Sequence, residues 1–228
     1  MLVQPCASAR RGGRQTLHHP PTLSMPTTCV RRRLLLAAAL ALAGCASPPA
    51  PFAPAEAPTG GDELRVLVFR GGAAARLGHN HVLRAGDLRV DRPAVGPLLR
   101  FRLAALQVDP PALRAALGPA FASVMDEEDR AGTRANLLKA LDAAAHPEVV
   151  LRTLQQVGEG GRRAVEAEIT LHGITRRQWF VVSVDGRRAR GEVVIRQSDF
   201  GIPPFTVMGG LLAVQDALVV QFDLDLAG

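Results

Sequence analysis

The stretch Val165-Glu166-Ala167-Glu168-Ile169-Thr170-Leu171 alternates apolar and polar residues without a break. Successive side chains of a strand point to opposite faces, so this period of two demands a β-strand with one face on a core and the other in water. On that reading Val165, Ala167, Ile169 and Leu171 face in, and Glu166 and Glu168 face out. The run 217–226 repeats the pattern, with Leu218, Val220, Phe222, Leu224 and Leu226 set against Gln221, Asp223 and Asp225. Further strands are expected over 64–70, 77–83, 86–90, 98–103, 149–157, 177–184 and 190–196. His172-Gly173-Ile174-Thr175 turns the chain, and Asp185-Gly186 is a hairpin signal. The run 177–184 is apolar on both faces, and Trp179 is expected in the core there.

Two helices interrupt the series. Residues 110–117 open on Pro110-Pro111, which suits a first helical turn. Thr133 can cap a second helix running through Ala135, Leu138, Leu141 and Ala144, which stops at His146-Pro147. The acidic run from Asp126 to Asp129 between them is expected to be a solvated loop. About eight antiparallel strands in one domain favour closure into a barrel, because closure removes exposed edges. The expected fold is therefore all-β with a helical insertion, an eight-stranded antiparallel barrel whose interior holds side chains or one small ligand.

The N-terminal region follows different rules. Arg31-Arg32-Arg33 precede the apolar run 34–43, which is too short to span a membrane and has the form of a secretory leader. Leu42-Ala43-Gly44-Cys45 resembles the bacterial lipobox, in which the cysteine is acylated and the leader is cleaved before it. Residues 1–24 then read as an upstream extension from a start codon placed too early, 25–44 as a lipoprotein signal peptide, 45–62 as the lipidated cysteine and a tether, and 63–228 as the barrel domain. The tether holds Pro48, Pro49, Pro51, Pro54 and Pro58 among small residues and favours extended polyproline conformations. At about 3.1 Å per residue it could reach about 50 Å from a bilayer. The expected location is the bacterial envelope, on the periplasmic side. Ala46 directly after the cysteine, where an aspartate is absent, favours the outer membrane.

The leader also explains the charge. The chain carries 27 basic and 21 acidic residues, a formal +6. Six arginines precede Cys45 and every acidic residue follows it, so the remainder is neutral. This argues against nucleic acid as a partner. Cys6 and Cys29 would leave with the leader and Cys45 would be blocked, so the domain must be stabilised by its core.

Sites for chemistry are sparse. Ser123, Ser183 and Ser198 lack a nucleophile context, and Gly71-Gly72 and Gly209-Gly210 do not open helices after strands. The acidic run lacks calcium-loop spacing. His79-Asn80-His81 would put two imidazoles on one face of a strand, able to hold a divalent metal if His146 or His172 supplied a third ligand. The competing reading gives these histidines local hydrogen-bonding roles near a barrel mouth.

Three segments in order resemble the YceI-like, polyisoprenoid-binding family. They are Leu141-Asp142-Ala143-Ala144-Ala145-His146-Pro147-Glu148-Val149, then Ile169-Thr170-Leu171-His172-Gly173-Ile174-Thr175-Arg176, then Ser198-Asp199-Phe200-Gly201-Ile202. The resemblance covers most of 64–226. It is poorer at the N-terminal end, where Arg76-Leu77-Gly78-His79-Asn80-His81-Val82 departs from the family pattern. It implies a lipocalin-like barrel, exported from the cytoplasm, with a long apolar cavity for a polyprenyl chain. The expected function is to bind or carry a polyisoprenoid or other long-chain lipid, without catalysis or cofactor, on a membrane anchor at Cys45. The alternatives are a metal-binding protein or metal-dependent enzyme using His79 and His81, and a non-catalytic envelope adaptor. Strand parity nominates Phe101, Val149, Leu151, Ile169, Val193, Ile195 and Phe222 as cavity lining. Phe200 and Phe205, flanking Gly201-Ile202-Pro203-Pro204, are expected to form a lid or mouth.

Overall fold

A computed structural model describes residues 61–227. The leader, Cys45 and nearly all of the tether lie outside the described residues. The strands are β1 (Glu63–Gly71), β2 (His81–Ala85), β3 (Arg89–Asp91), β4 (Leu98–Arg102), β5 (Leu106–Val108), β6 (Glu148–Val157), β7 (Arg162–Leu171), β8 (Ile174–Asp185), β9 (Arg188–Arg196), β10 (Thr206–Val207) and β11 (Leu212–Asp225). Two α-helices, α1 (Pro111–Ala116) and α2 (Glu127–Ala140), fall between β5 and β6. One antiparallel sheet runs β3-β4-β6-β7-β8-β9-β11-β1-β2-β5, and β10 pairs with β11. The eight strands of five residues or more are consecutive neighbours from β4 round to β2; the short β3 and β5 extend the two ends. The sheet curls as a half-barrel, so that residues of β4, β6 and β7 share one core with residues of β9, β11 and β1.

Alternation decides what goes inside. Val165, Ala167, Ile169 and Leu171 of β7 are all buried. On β9 and β11 the buried set includes Val193, Ile195, Val220, Phe222 and Leu224. Register then stacks these positions in layers. Val68 lies opposite both His81 and Leu218, and Leu218 opposite Ile195. One layer on, Val66 lies opposite Leu83 and Val220, and Val220 opposite Val193. The other parity of β1 and β2 is buried too. Leu67, Val82 and Phe121 form a second cluster on which Phe69, Leu113 and Leu117 pack, so the segment around α1 covers the outer face there.

Two glycines are fixed by close approach. His172 and Gly173 form the two-residue β7–β8 turn, with φ of 53° and 72°, as the twist of a tight hairpin requires. A Cβ on Gly173 would sit 2.6 Å from Cε1 of His146. The His-Gly-Ile-Thr segment is thus a turn under the His146 ring. A Cβ on Gly191 would collide with Cζ of Phe222, so that ring rests on the strand backbone and meets Phe180 edge-on, centroids 5.9 Å apart.

Several expectations are corrected. The second helix starts at Glu127, and Thr133 lies within it. Its cap is Asp126, whose carboxylate accepts from the Asp129 N–H at 2.8 Å while Asp129 accepts from the Asp126 N–H. The acidic run read as a loop is therefore a capping box and first turn, with carboxylates placed at the positive end of the helix dipole. The helix ends at Ala140, before the expected stop. In place of a strand over 77–83, residues 75–77 form a 3₁₀ turn and β2 starts only at His81, leaving His79 outside it. Trp179 faces outward and is 48 % exposed, because Phe180, Val182 and Val184 take the inner parity of β8.

Candidate functional site: an apolar interior in two chambers

Two cavities lie inside the curled sheet. The first, about 210 Å³, is walled mainly by inward residues of β1, β4, β6, β7, β9 and β11. Helix α2 lies across it and contributes Thr133, Asn136, Leu137 and Ala140, spaced so that all four share one helix face. The second, about 220 Å³, is lined by Phe180, Val182, Val184, Phe222, Leu224 and Leu226 and has a more polar edge at Arg92, Gln156 and Arg163. Leu99 and Leu151 line both. Along β11 the first cavity takes residues 214–220 and the second 222–226, and along β6 the lining passes from Val149 to Thr153. The chambers therefore succeed one another along the strands, with two leucines at their junction.

Phe101, Val149, Leu151, Ile169, Val193, Ile195 and Phe205 line the first chamber. Phe222 lines the second, with Leu151 shared. Phe200 lines neither. It is 2 % exposed in the core, and its carbonyl accepts a hydrogen bond from His172 Nδ1 at 3.1 Å, so of the proposed lid pair only Phe205 faces a cavity.

One corner of the first chamber is polar. Asp109 is completely buried, with φ of 52°. Its Oδ1 accepts from the Val82 N–H at 3.0 Å and from Arg114 Nη1 at 2.6 Å, and its Oδ2 accepts from His81 Nδ1 at 2.7 Å. Arg114, itself buried, also donates to the Asn80 carbonyl and to Ser123. The Asn80 side chain joins the Arg70 N–H to the Ala120 carbonyl. Among the described residues no buried side-chain polar atom lacks a partner. Burial pushes the Asp109 carboxyl up, but the hydrogen bonds from His81, Val82 and Arg114 outweigh it and hold the group below the ordinary carboxylate range.

This knot was not legible in the sequence beyond His81. Asp109 and Arg114 sit on either side of Pro110-Pro111, with no period to mark them; only the fold brings them beneath Asn80 and His81. The remaining histidines pair elsewhere. His79 and His81 have ring centroids 6.5 Å apart, whereas His146 and His172 pack edge-on at 5.3 Å. Neither His146 nor His172 joins the His79–His81 pair, and among the described residues no three His, Cys, Asp or Glu side chains come together to hold a metal ion.

Curled antiparallel sheet, roofing helix and aliphatic interior together describe a barrel built around a hydrophobic space. Residues 115–226 match the YceI-like domain. Among solved structures, Burkholderia cenocepacia BcnA is similar at 11 % identity, covering 71 % of this chain and 94 % of that one, with a TM-score of 0.46. A YCEI protein of Campylobacter jejuni is similar at 10 % identity, covering 63 % and 83 %, with a TM-score of 0.40. None of the curated proteins compared matches the chain.

Proposed function

We propose that this protein is an envelope lipoprotein that binds or carries a long-chain lipid of polyisoprenoid type inside its sheet. The observation that carries the reading is the lining of the first chamber, where aliphatic and aromatic side chains from six strands converge and, among the described residues, no carboxylate, lysine or arginine intrudes. The second chamber beyond Leu99 and Leu151 offers the tail a continuation. Each buried methylene contributes about 0.8 kcal/mol. A chain with about twenty buried carbons gains roughly 16 kcal/mol gross, and an association cost of about 8 kcal/mol leaves micromolar affinity. The match of residues 115–226 to the YceI-like domain supports the same ligand class.

The lipobox-like segment ending at Cys45 supports the anchor, and the proline-rich tether supports a domain held off the bilayer, with the outer membrane as the proposed site. Mass spectrometry of the full chain extracted from its native envelope tests the ligand. A stoichiometric long-chain lipid is expected; a stoichiometric metal, or neither, would refute the reading. Cys45→Ser is expected to shift the protein into detergent-free soluble extracts or leave its precursor uncut. Equal solubility of variant and wild type would remove the anchor.

A further inference from the structure

We propose that His81 is a headgroup-selecting residue, and that the ligand carries a hydroxyl at the end held near β2. The proposal rests on the lipid-binding reading and adds the chemistry of the lipid's polar end. His81 stands in the layer of Val68, Leu218 and Ile195, and among the described residues it is the only ionisable side chain in the first chamber's wall, which Phe205 and Val214 also line.

The orientation of the imidazole is not free. Nδ1 lies 2.7 Å from a carboxylate oxygen of Asp109, and a carboxylate accepts, so Nδ1 carries the proton. Asp109 is fixed in turn by the Val82 N–H and by Arg114. Arg114 matches the carboxylate's charge, so the pair does not need a charged imidazole to balance it. In the neutral imidazole the proton on Nδ1 leaves Nε2 with a lone pair, on the side of the ring away from Asp109, and among the described residues nothing donates to it. A carboxylate–imidazole pair of this kind fixes both tautomer and ring direction. In a mainly apolar wall, a fixed acceptor favours a ligand with one O–H donor over one without.

Thr133, Asn136 and Gln197 are the other polar residues of the wall. Gln197 donates from Nε2 to the Gln215 carbonyl at 2.8 Å, which holds its side chain against β11. Thr133 and Asn136 belong to α2 and add uncharged groups only. Among the described residues no arginine or lysine faces the chamber to neutralise a carboxylate or phosphate head. The lining therefore points to a neutral alcohol.

The test compares three ligands of one chain, geranylgeraniol, its methyl ether and the corresponding carboxylic acid, against the full chain and its His81→Phe variant. Wild type is expected to prefer the alcohol over the ether by about fivefold, the value of one neutral hydrogen bond. In His81→Phe that preference should fall to about one, because the group that tells the two ligands apart is gone. Alcohol, and not ether, should also move the His81 Nε2 nitrogen resonance of the wild-type protein, a readout that survives if the variant fails to fold. Equal wild-type affinity for alcohol and ether, a preference that persists in the variant, or tighter binding of the acid would each overturn the proposal while leaving lipid binding intact. Failure of all three ligands to bind would overturn both.

Discussion

The interior has two kinds of wall, and they are built in opposite ways. Along β6, β7, β9 and β11 the lining is one aliphatic residue in two, each contact is weak, and neighbours share the burden. At the corner of β2, β5 and α1 the lining is a single imidazole backed by Asp109, Arg114 and Asn80, where every group depends on the next. An apolar wall can lose a methylene and relax in part. A buried ionic knot cannot lose a partner without stranding a charge. The first wall should therefore tune how much chain is held, and the second should fix how the chain is held.

Changes that put a charge into the first wall should have the largest effect. Val193→Glu places a carboxylate at a position 3 % exposed, with no cation among the chamber's lining, and should unfold the domain or cost at least about 4 kcal/mol in urea denaturation. A near-wild-type midpoint would mean that β9 is read one residue out of register. Arg114→Met follows, at about 3–5 kcal/mol, because it leaves the buried Asp109 carboxylate with only the His81 imidazole and the Val82 N–H. Adding Asp109→Leu should restore at least half of that loss, since removing both charges removes the stranded one. If the single change costs less than about 1 kcal/mol, the knot is not the cooperative unit described.

The pH dependence of the knot has a definite sign. The Asp109 carboxyl is held below its unfolded value, so its contribution is fully present above about pH 4 and is lost as pH falls through the folded value. The acid limb of the stability curve should be shallower in the Asp109→Leu/Arg114→Met double variant than in wild type. An identical limb would place acid sensitivity elsewhere. Leu151→Ala should cost about 2 kcal/mol and join the two chambers, moving the preferred chain length upward. An unchanged preference in a chain-length series would show that the chambers do not share one ligand. Glu168→Lys on the outward face of β7 breaks only a 3.0 Å surface pair with Arg177 and should cost less than about 1 kcal/mol.

The contrast between the walls is also a contrast in legibility. Ile169, Val193, Ile195 and Phe222 were readable because a strand's period of two is local, and parity needs no knowledge of neighbours. Parity failed at Trp179, where both faces of β8 are apolar and only the sheet's curvature decides which one is inside. The start of α2 was missed because an acidic run looks like a solvated loop until Asp126 and Asp129 are seen as a reciprocal cap. The prolines beside Phe200 suggest a mouth, whereas its place in the core depends on packing that its own segment does not announce. Asp109 and Arg114 were invisible for a deeper reason. Their partners come from β2 and the segment before it, so the pattern exists only in three dimensions.

The central claim is that the first chamber is where a long apolar chain lies, and Ile195→Trp tests it most directly. Ile195 lines that chamber and is 7 % exposed, and an indole in its place would occupy much of the space while the strand's outward residues stay as they are. Titration of the full chain with a fluorescent polyprenyl probe should show affinity at least about tenfold weaker in Ile195→Trp, with cooperative unfolding retained. Equal affinity in a folded variant would contradict the account.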